Sequence, residues 1–307
     1  MEAGVAPSPF YKRRTCAKSS SPPHPDLISV AAIEIVPIRT SGDWRPDQAE
    51  LSFRETGGNK ELFTKEIEEA LLGDFIDMAV HSMKDVASHL PKGLEIAAML
   101  DRIDPRDAFI GRAVGQLDAL PQGAVVGTSS LRRQAQLLAR RPDLRIVPVR
   151  GNVGTRLEKL KDGKFDATIL AMAGLERLGL RHVANSVLEP DVMLPAAAQG
   201  VVGIEIHSGN TAMRDLLAPI HSRETAACVG AERALLRVLD GSCQTPIGAF
   251  AHMIDPTHLL LEAVAARPDG TSLLRLTADG EVTQAEKIGM KLGRQMKDSL
   301  PSDFFET

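Results

Sequence analysis

Residues 127–156 read GTSSLRRQAQLLARRPDLRIVPVRGNVGTR, and the rest of the chain is organised around this stretch. It parses as a turn, a helix, a buried strand and a second turn that opens another helix. Leu131, Ala135 and Leu138 recur at helical spacing, and Ser129 or Ser130 stands where an N-cap belongs. Arg132 and Arg133 then fall in the first helical turn. A helix N-terminus already carries about half a positive charge, so each cation there costs a few tenths to about 1 kcal/mol unless something negative is close. Helix N-termini bind anions through free backbone N–H groups, and guanidinium groups grip carboxylates in bidentate pairs. Arg150 ends the strand LRIVPV and Arg156 enters the next helix, so both can approach the same sheet edge. A solvated basic face is the plainer reading of any one of these arginines. Four of them at strand ends and helix starts point to a polyanion site.

The alternation extends outward on both sides. AVVGTSS is strand and turn, SLRRQAQLLARR helix, LRIVPV strand, VGTRLEKLKDG helix, DATILAM strand and AGLERLGL helix. This βαβαβ order predicts a parallel sheet with right-handed crossovers over residues 103–198. Upstream, AAIEIVPI and FIDMAV read as strands around the helix ELFTKEIEEALLG, followed by the strand LEIAAML. FIDMAV runs into His81-Ser82-Met83-Lys84-Asp85, at the carboxyl end of a strand, where open α/β sheets bind ligands. VVGIEI, after the break at Pro195–Gly200, is a strand able to return to the first sheet. The expected units are therefore 31–102 with 199–218, and 103–198, two α/β domains facing a cleft. Residues 219–307 change character: a long amphipathic helix, three short strands with Pro-Asp-Gly and Ala-Asp-Gly turns, and a final helix predict a C-terminal α+β domain. Residues 1–30 are rich in Pro, Ser and basic residues without a period, and no fold is expected for them.

Composition narrows the function. At 307 residues with 43% hydrophobic and 25% charged content, the chain suits a multi-domain globular protein. A net charge of −4 gives no global attraction to nucleic acid or anionic membrane. The positive charge is local: residues 132–164 hold ten Lys or Arg against three Asp or Glu. One Trp and one Tyr leave little for stacking on bases. No apolar run is long enough to span a bilayer. Cys16, Cys228 and Cys243 lack metal-ligand spacing, so no metal is expected and a reducing, cytoplasmic setting is. Cys243 lies in GSCQTPIG, a loop shaped by Gly241, Pro246 and Gly248, where a thiolate could attack an electrophile. Cys228, on the apolar helix, reads as a small buried hydrophobe.

Taken together, NKELFTKEIEEAL, DMAVHSMKDV, DPRDAFIGR, VGTSSLRRQAQL, VRGNVGTRLEKL, LPAAAQGVVGIE, ERALLRVLDGSCQTPIGAFA and AVAARPDG resemble the porphobilinogen deaminase family in order, from about residue 33 to the C-terminal helix. The resemblance implies two α/β domains like those of periplasmic binding proteins plus a cofactor-bearing α+β domain. It implies a monomeric transferase, hydroxymethylbilane synthase, that joins four porphobilinogen molecules head to tail in tetrapyrrole biosynthesis and releases ammonia at each step. It also implies a dipyrromethane cofactor attached to Cys243, contacted by Lys84, Ser129, Arg132, Arg133 and Arg150. Arg156, Arg177, Lys60 and Gln199 match substrate-binding positions, and Asp85 the catalytic carboxylate. Each pyrrole carries an acetate and a propionate, which explains the arginines. A carboxylate near the ring N–H stabilises the cation left by ammonia loss and assists proton transfer, worth roughly 10²- to 10⁴-fold.

Departures from the family pattern are local. The usual opening, R-I-G-T-R-x-S-x-L-A-L-x-Q-A, has no counterpart before Ala31, so the first strand and helix of the first domain are expected to be missing. A mis-started or frame-shifted reading of residues 1–30 is the expectation; an impaired member that at most binds carboxylated pyrroles or other small anions is the alternative. Ala198 stands where a Gly commonly precedes Gln199-Gly200, and reads as tolerated variation. A two-lobed anion trap without chemistry would not require Cys243 or Asp85.

Overall fold

The computed structural model describes residues 10–13, 33–38, 61–239 and 245–305, which form a mixed α/β structure with three sheets. The first sheet has the order β2-β1-β3-β10-β4, built from Phe10–Arg13 (β1), Ile33–Ile35 (β2), Met78–Ser82 (β3), Leu94–Met99 (β4) and Val202–His207 (β10). Four residues of the N-terminal segment thus pair with the sheet although that segment shows no sequence period. The helix Glu61–Leu72 (α1) lays Ile67 and Leu71 onto Ile76, Ala79 and Leu94. β10 does return to this sheet, antiparallel to both β3 and β4. Gly203 on it faces Met83, where a Cβ would lie 2.1 Å from the sulfur. Any side chain there would have to displace the Met83 thioether.

The second sheet has the order β7-β6-β8-β5-β9, from Asp107–Gly111 (β5), Val125–Gly127 (β6), Arg145–Val147 (β7), Ala167–Ala171 (β8) and Ser186–Leu188 (β9). The expected parallel arrangement holds for β6 with β7 and for β6 with β8. It fails on the other flank, where β5 runs antiparallel to β8 and to β9. β5 arrives from the first sheet without a crossover helix, so nothing forces it parallel. Both faces of this sheet are covered, which explains its apolar runs. Phe109, Val126, Ile169 and Leu137 fill one side; Ala108, Ile110, Leu170 and Leu175 fill the other. Leu131–Arg140 (α2), Val153–Lys161 (α3) and Met172–Arg177 (α4) alternate with the strands, and Thr211–Leu217 (α5) follows β10.

The third sheet is an antiparallel meander of Ile247–Asp255 (β11), His258–Ala266 (β12) and Leu273–Glu281 (β13). Arg223–Val238 (α6) and Ala285–Ser299 (α7) cover it, with Ala231, Leu235, Leu292 and Met296 packed on Leu259, Leu261 and Ala263. The three strands and two helices agree with the sequence pattern, as does the Pro-Asp-Gly turn. Ala278-Asp279-Gly280, however, forms no turn: all three pair with β12 inside β13, and the chain turns between β11 and β12 at Pro256-Thr257 instead.

Two chain segments cross between the first and second sheets, one between β4 and β5 and one between β9 and β10. Both reach Glu232 of α6, which is fully buried. Its Oε1 accepts from Arg102 Nη1 at 2.8 Å and from Ala251 N at 2.7 Å. Its Oε2 accepts from Arg102 Nη2 at 2.8 Å and from Ala198 N at 2.6 Å. Four charge-assisted bonds satisfy a carboxylate that would otherwise be costly to bury. Ala198 itself has φ +61°, a left-handed conformation that costs a residue with a Cβ roughly 1–2 kcal/mol. The substitution for glycine noted in the sequence is therefore strained at the backbone, and the Glu232 bond helps hold it.

Candidate active site

Ser130, not Ser129, caps α2: its Oγ accepts from Arg133 N at 3.4 Å. Ser129 Oγ donates to Val149 O at 2.9 Å and accepts from Val149 N at 3.0 Å, tying the helix start to the residue before Arg150. Arg132 and Arg133, in the first turn of α2, point inward and are 5% and 6% exposed. The negative charge that their position calls for is supplied first by the chain itself, at Asp107, the opening residue of β5. Arg132 Nη1 lies 2.7 Å from Asp107 Oδ2, and Arg133 Nη2 lies 2.7 Å from Oδ1. Gln199 Nε2 donates to the same Oδ1 at 3.1 Å and to Pro105 O at 2.7 Å. Asp107 is wholly buried. Burial pushes its carboxyl upward, but the two guanidinium groups outweigh this and hold it well below the usual carboxylate range.

One carboxylate does not balance this cluster. Half-buried Lys84 lies close enough to feel Asp85, Arg133, Asp107 and Arg132. Burial lowers its pKa, with the two arginines adding to that effect and the two carboxylates opposing it. Burial likewise pulls Arg132 down against the attraction of Asp107. Arg132 Nε is buried without a hydrogen-bond partner. Partly desolvated positive charge with an unused buried donor fits a polycarboxylate, and so fits the four carboxylates of a dipyrromethane group.

Asp85 is exposed beside this cluster, at the end of a 3₁₀ turn, Met83–Asp85, that follows β3 directly. The turn is held from both sides. Met83 N donates to Val201 O at 3.0 Å, and Arg233 of α6 donates to Val86 O at 3.2 Å and Ala87 O at 2.5 Å. Below it, His81 Nε2 meets Glu205 Oε2 at 2.9 Å inside the first sheet. The carboxylate is thus presented on a fixed backbone and left open to a reactant.

The remaining sequence-predicted residues approach along neighbouring segments. Arg177 Nη2 donates to Gly200 O at 3.1 Å, next to Gln199, and desolvation lowers its pKa. Arg156 Nε donates to Gly151 O at 2.9 Å, and the Arg150 carbonyl accepts from Lys159 Nζ at 3.2 Å, so both arginines sit on one tightly bonded turn. Lys60 and Cys243 lie outside the described residues. Cys228 is buried, and its thiol is pushed up to about 11 by burial and by Glu232, which suits an inert packing residue. Asp107 is the site residue that sequence reasoning did not single out. Its signal was a lone acid opening the apolar run AFIG, since a buried acid needs a basic partner.

Fold and site together define a mixed α/β protein with a buried cationic cluster and an exposed carboxylate beside it. Comparison with known proteins makes this specific. The family description "Porphobilinogen deaminase, dipyromethane cofactor binding domain" matches residues 24–215, and "Porphobilinogen deaminase, C-terminal domain" matches residues 226–298. The porphobilinogen deaminase of Thiobacillus denitrificans is 49% identical over 278 residues, covering 88% of this chain and 89% of the relative. That of Paracoccus denitrificans is 49% identical over 279 residues, covering 91% and 88%. Among solved structures, the periplasmic VFT2 domain of Bordetella pertussis BvgS is a distant likeness, with 16% identity, a TM-score of 0.33 and coverage of 55% of this chain and 72% of that one. The chain belongs to the porphobilinogen deaminase family.

Proposed function

We propose that this chain is a hydroxymethylbilane synthase, a transferase that condenses four porphobilinogen molecules head to tail and releases ammonia at each step. The observation that carries this reading is the surplus of buried positive charge around Asp107, with Asp85 exposed beside it. Arg132, Arg133 and Lys84 hold acetate and propionate groups, with Ser129 fixing the segment from which Arg150 reaches them. Arg156, Arg177 and Lys60 take the carboxylates of incoming substrate, and Gln199 keeps Asp107 aligned between the two arginines. Asp85 accepts a hydrogen bond from the pyrrole N–H of the reacting substrate, stabilises its positive charge as ammonia leaves, and assists the proton transfers. Cys243 holds the dipyrromethane group through a thioether; when bound, that group supplies the pyrrole carbon to which the first substrate is joined.

The organisation that goes with this activity has residues 31–102 with 199–218 as a first domain, 103–198 as a second and 219–307 as a third. The enzyme works as a cytoplasmic monomer. Among the described residues no helix is long and apolar enough to cross a membrane. The deciding experiment is intact mass of the purified wild type and of Cys243→Ser, together with turnover of porphobilinogen. The expected result is an adduct of two pyrrole units on wild type, none on Cys243→Ser, and turnover by wild type alone. Bare wild-type protein without turnover would instead make the chain an anion-binding relative.

A further inference from the structure

The helix α2, which carries Arg132 and Arg133, is also held from outside its own sheet. The turn Pro268-Asp269-Gly270, between β12 and β13, sits against it. Gln134 Nε2, the residue after Arg133, donates to Pro268 O at 3.1 Å. Gly270 has φ +75°, and a Cβ there would lie 2.4 Å from Ala139 N and 2.6 Å from the carbonyl carbon of Leu138. Both are backbone atoms of the helix, so no side-chain rotation relieves the collision. The turn is rigid in itself: Gly270 N donates to Arg267 O at 2.9 Å, and Asp269 Oδ1 accepts from Thr271 N at 3.0 Å and Thr271 Oγ1 at 2.7 Å. Nearby, Arg275 of β13 donates to Pro190 O at 2.7 Å and Asp191 O at 3.2 Å, docking the same sheet onto the segment after β9.

We propose that Gly270 is a positioning residue for the reaction: its bare Cα lets the C-terminal sheet seat directly on α2 and so fixes where Arg132 and Arg133 present their guanidinium groups. This rests on the reading of that arginine pair as the carboxylate clamp. On that reading the seat has a purpose, because Cys243 stands only four residues before β11 of the same sheet in the sequence. The clamp lies on α2, against the second sheet, and the backbone contact at Gly270 holds the third sheet in register with it.

The test compares Gly270→Ala with Gly123→Ala in the full chain. Gly123 has φ +74°, and a Cβ there would meet nothing within 4 Å, so it carries the same left-handed strain without the collision. Amide hydrogen exchange across residues 131–137 and kcat/KM for porphobilinogen are the readouts. A displacement of about 1 Å in a positioning element costs on the order of 10²-fold in rate. Gly270→Ala should therefore lower kcat/KM about 10²-fold and speed exchange in 131–137, while Gly123→Ala retains wild-type turnover and exchange. Gln134→Ala, which removes one bond without crowding, should speed exchange in the same segment by about 2- to 10-fold, and this arm decides the matter if Gly270→Ala does not fold. Unchanged exchange in 131–137 in either seat variant, or equal kinetic losses for Gly270→Ala and Gly123→Ala, overturns the proposal. An inactive wild type would defeat the catalytic reading instead, and the exchange measurement would still decide the positioning role.

Discussion

Replacing Asp107 by Asn keeps the shape of the side chain and removes its charge. In the native protein that carboxylate is ion-paired with Arg132, accepts from Arg133 and Gln199, and has no exposure to solvent. The variant leaves two buried guanidinium groups facing an amide, and removing one partner of a buried pair costs about 3–5 kcal/mol. At roughly 2–4 °C per kcal/mol for a chain of this size, the melting temperature should fall by about 6–20 °C. The sign of the pH dependence follows from the carboxyl being held well below its usual range in the folded state. The stabilisation is present above the unfolded pKa of about 3.9 and is lost as pH falls toward the folded value. Urea titrations of both proteins should thus show a constant stability gap between about pH 5 and 8 that narrows below about pH 4. A gap under about 1 kcal/mol, or one that does not narrow in acid, would refute the claim that Asp107 neutralises the arginine pair.

Three further outcomes are expected. Asp85→Asn should abolish turnover of porphobilinogen while the melting temperature stays within about 1 °C, because the side chain is exposed; near-wild-type turnover would remove Asp85 from the chemistry. Ala198→Gly should stabilise the protein by about 0.5–1 kcal/mol in urea titration, the relief of left-handed strain exceeding the added freedom of the unfolded chain; a destabilised variant would show that the backbone there is unstrained. Glu232→Gln should cost about 3–5 kcal/mol in the same assay by leaving Arg102 buried beside a neutral amide, and a loss under about 1 kcal/mol would mean that the Arg102 pair is no stronger than a surface contact.

Much of this architecture was written in local patterns. The spacing of Leu131, Ala135 and Leu138 and the serine before them define α2, and the two arginines at its start announce a need for negative charge. Local pattern does not say who supplies it. The nearest supplier, Asp107, lies 26 residues away in sequence from Arg133 and becomes its neighbour only when β5 enters the sheet. Strand direction was hidden for a related reason. Alternating helices set the parallel strands β6, β7 and β8, but β5 and β9 are placed by the crossings to and from the first sheet. Gln199 offered no local clue to its inward orientation, since its amide partners, Pro105 and Asp107, belong to the other crossing segment and to β5. The strain at Ala198 left one trace, the glycine common at that position, whose replacement reads as tolerated variation until the backbone shows its positive φ.

Glu232 ties together the two passages of the chain between the first and second sheets. The chain passes between the first two sheets twice, and on each passage it is bonded to that same carboxylate, through Arg102 on one and Ala198 N on the other. A hinge with two independent leaves would let the lobes twist as well as open. Here both leaves share one pin, and the pin belongs to a helix of the C-terminal layer. The two passages are also bonded to each other, Ile103 N to Gly200 O at 3.2 Å and Gln199 Nε2 to Pro105 O at 2.7 Å, so they are laced into one strap that is anchored in the third layer.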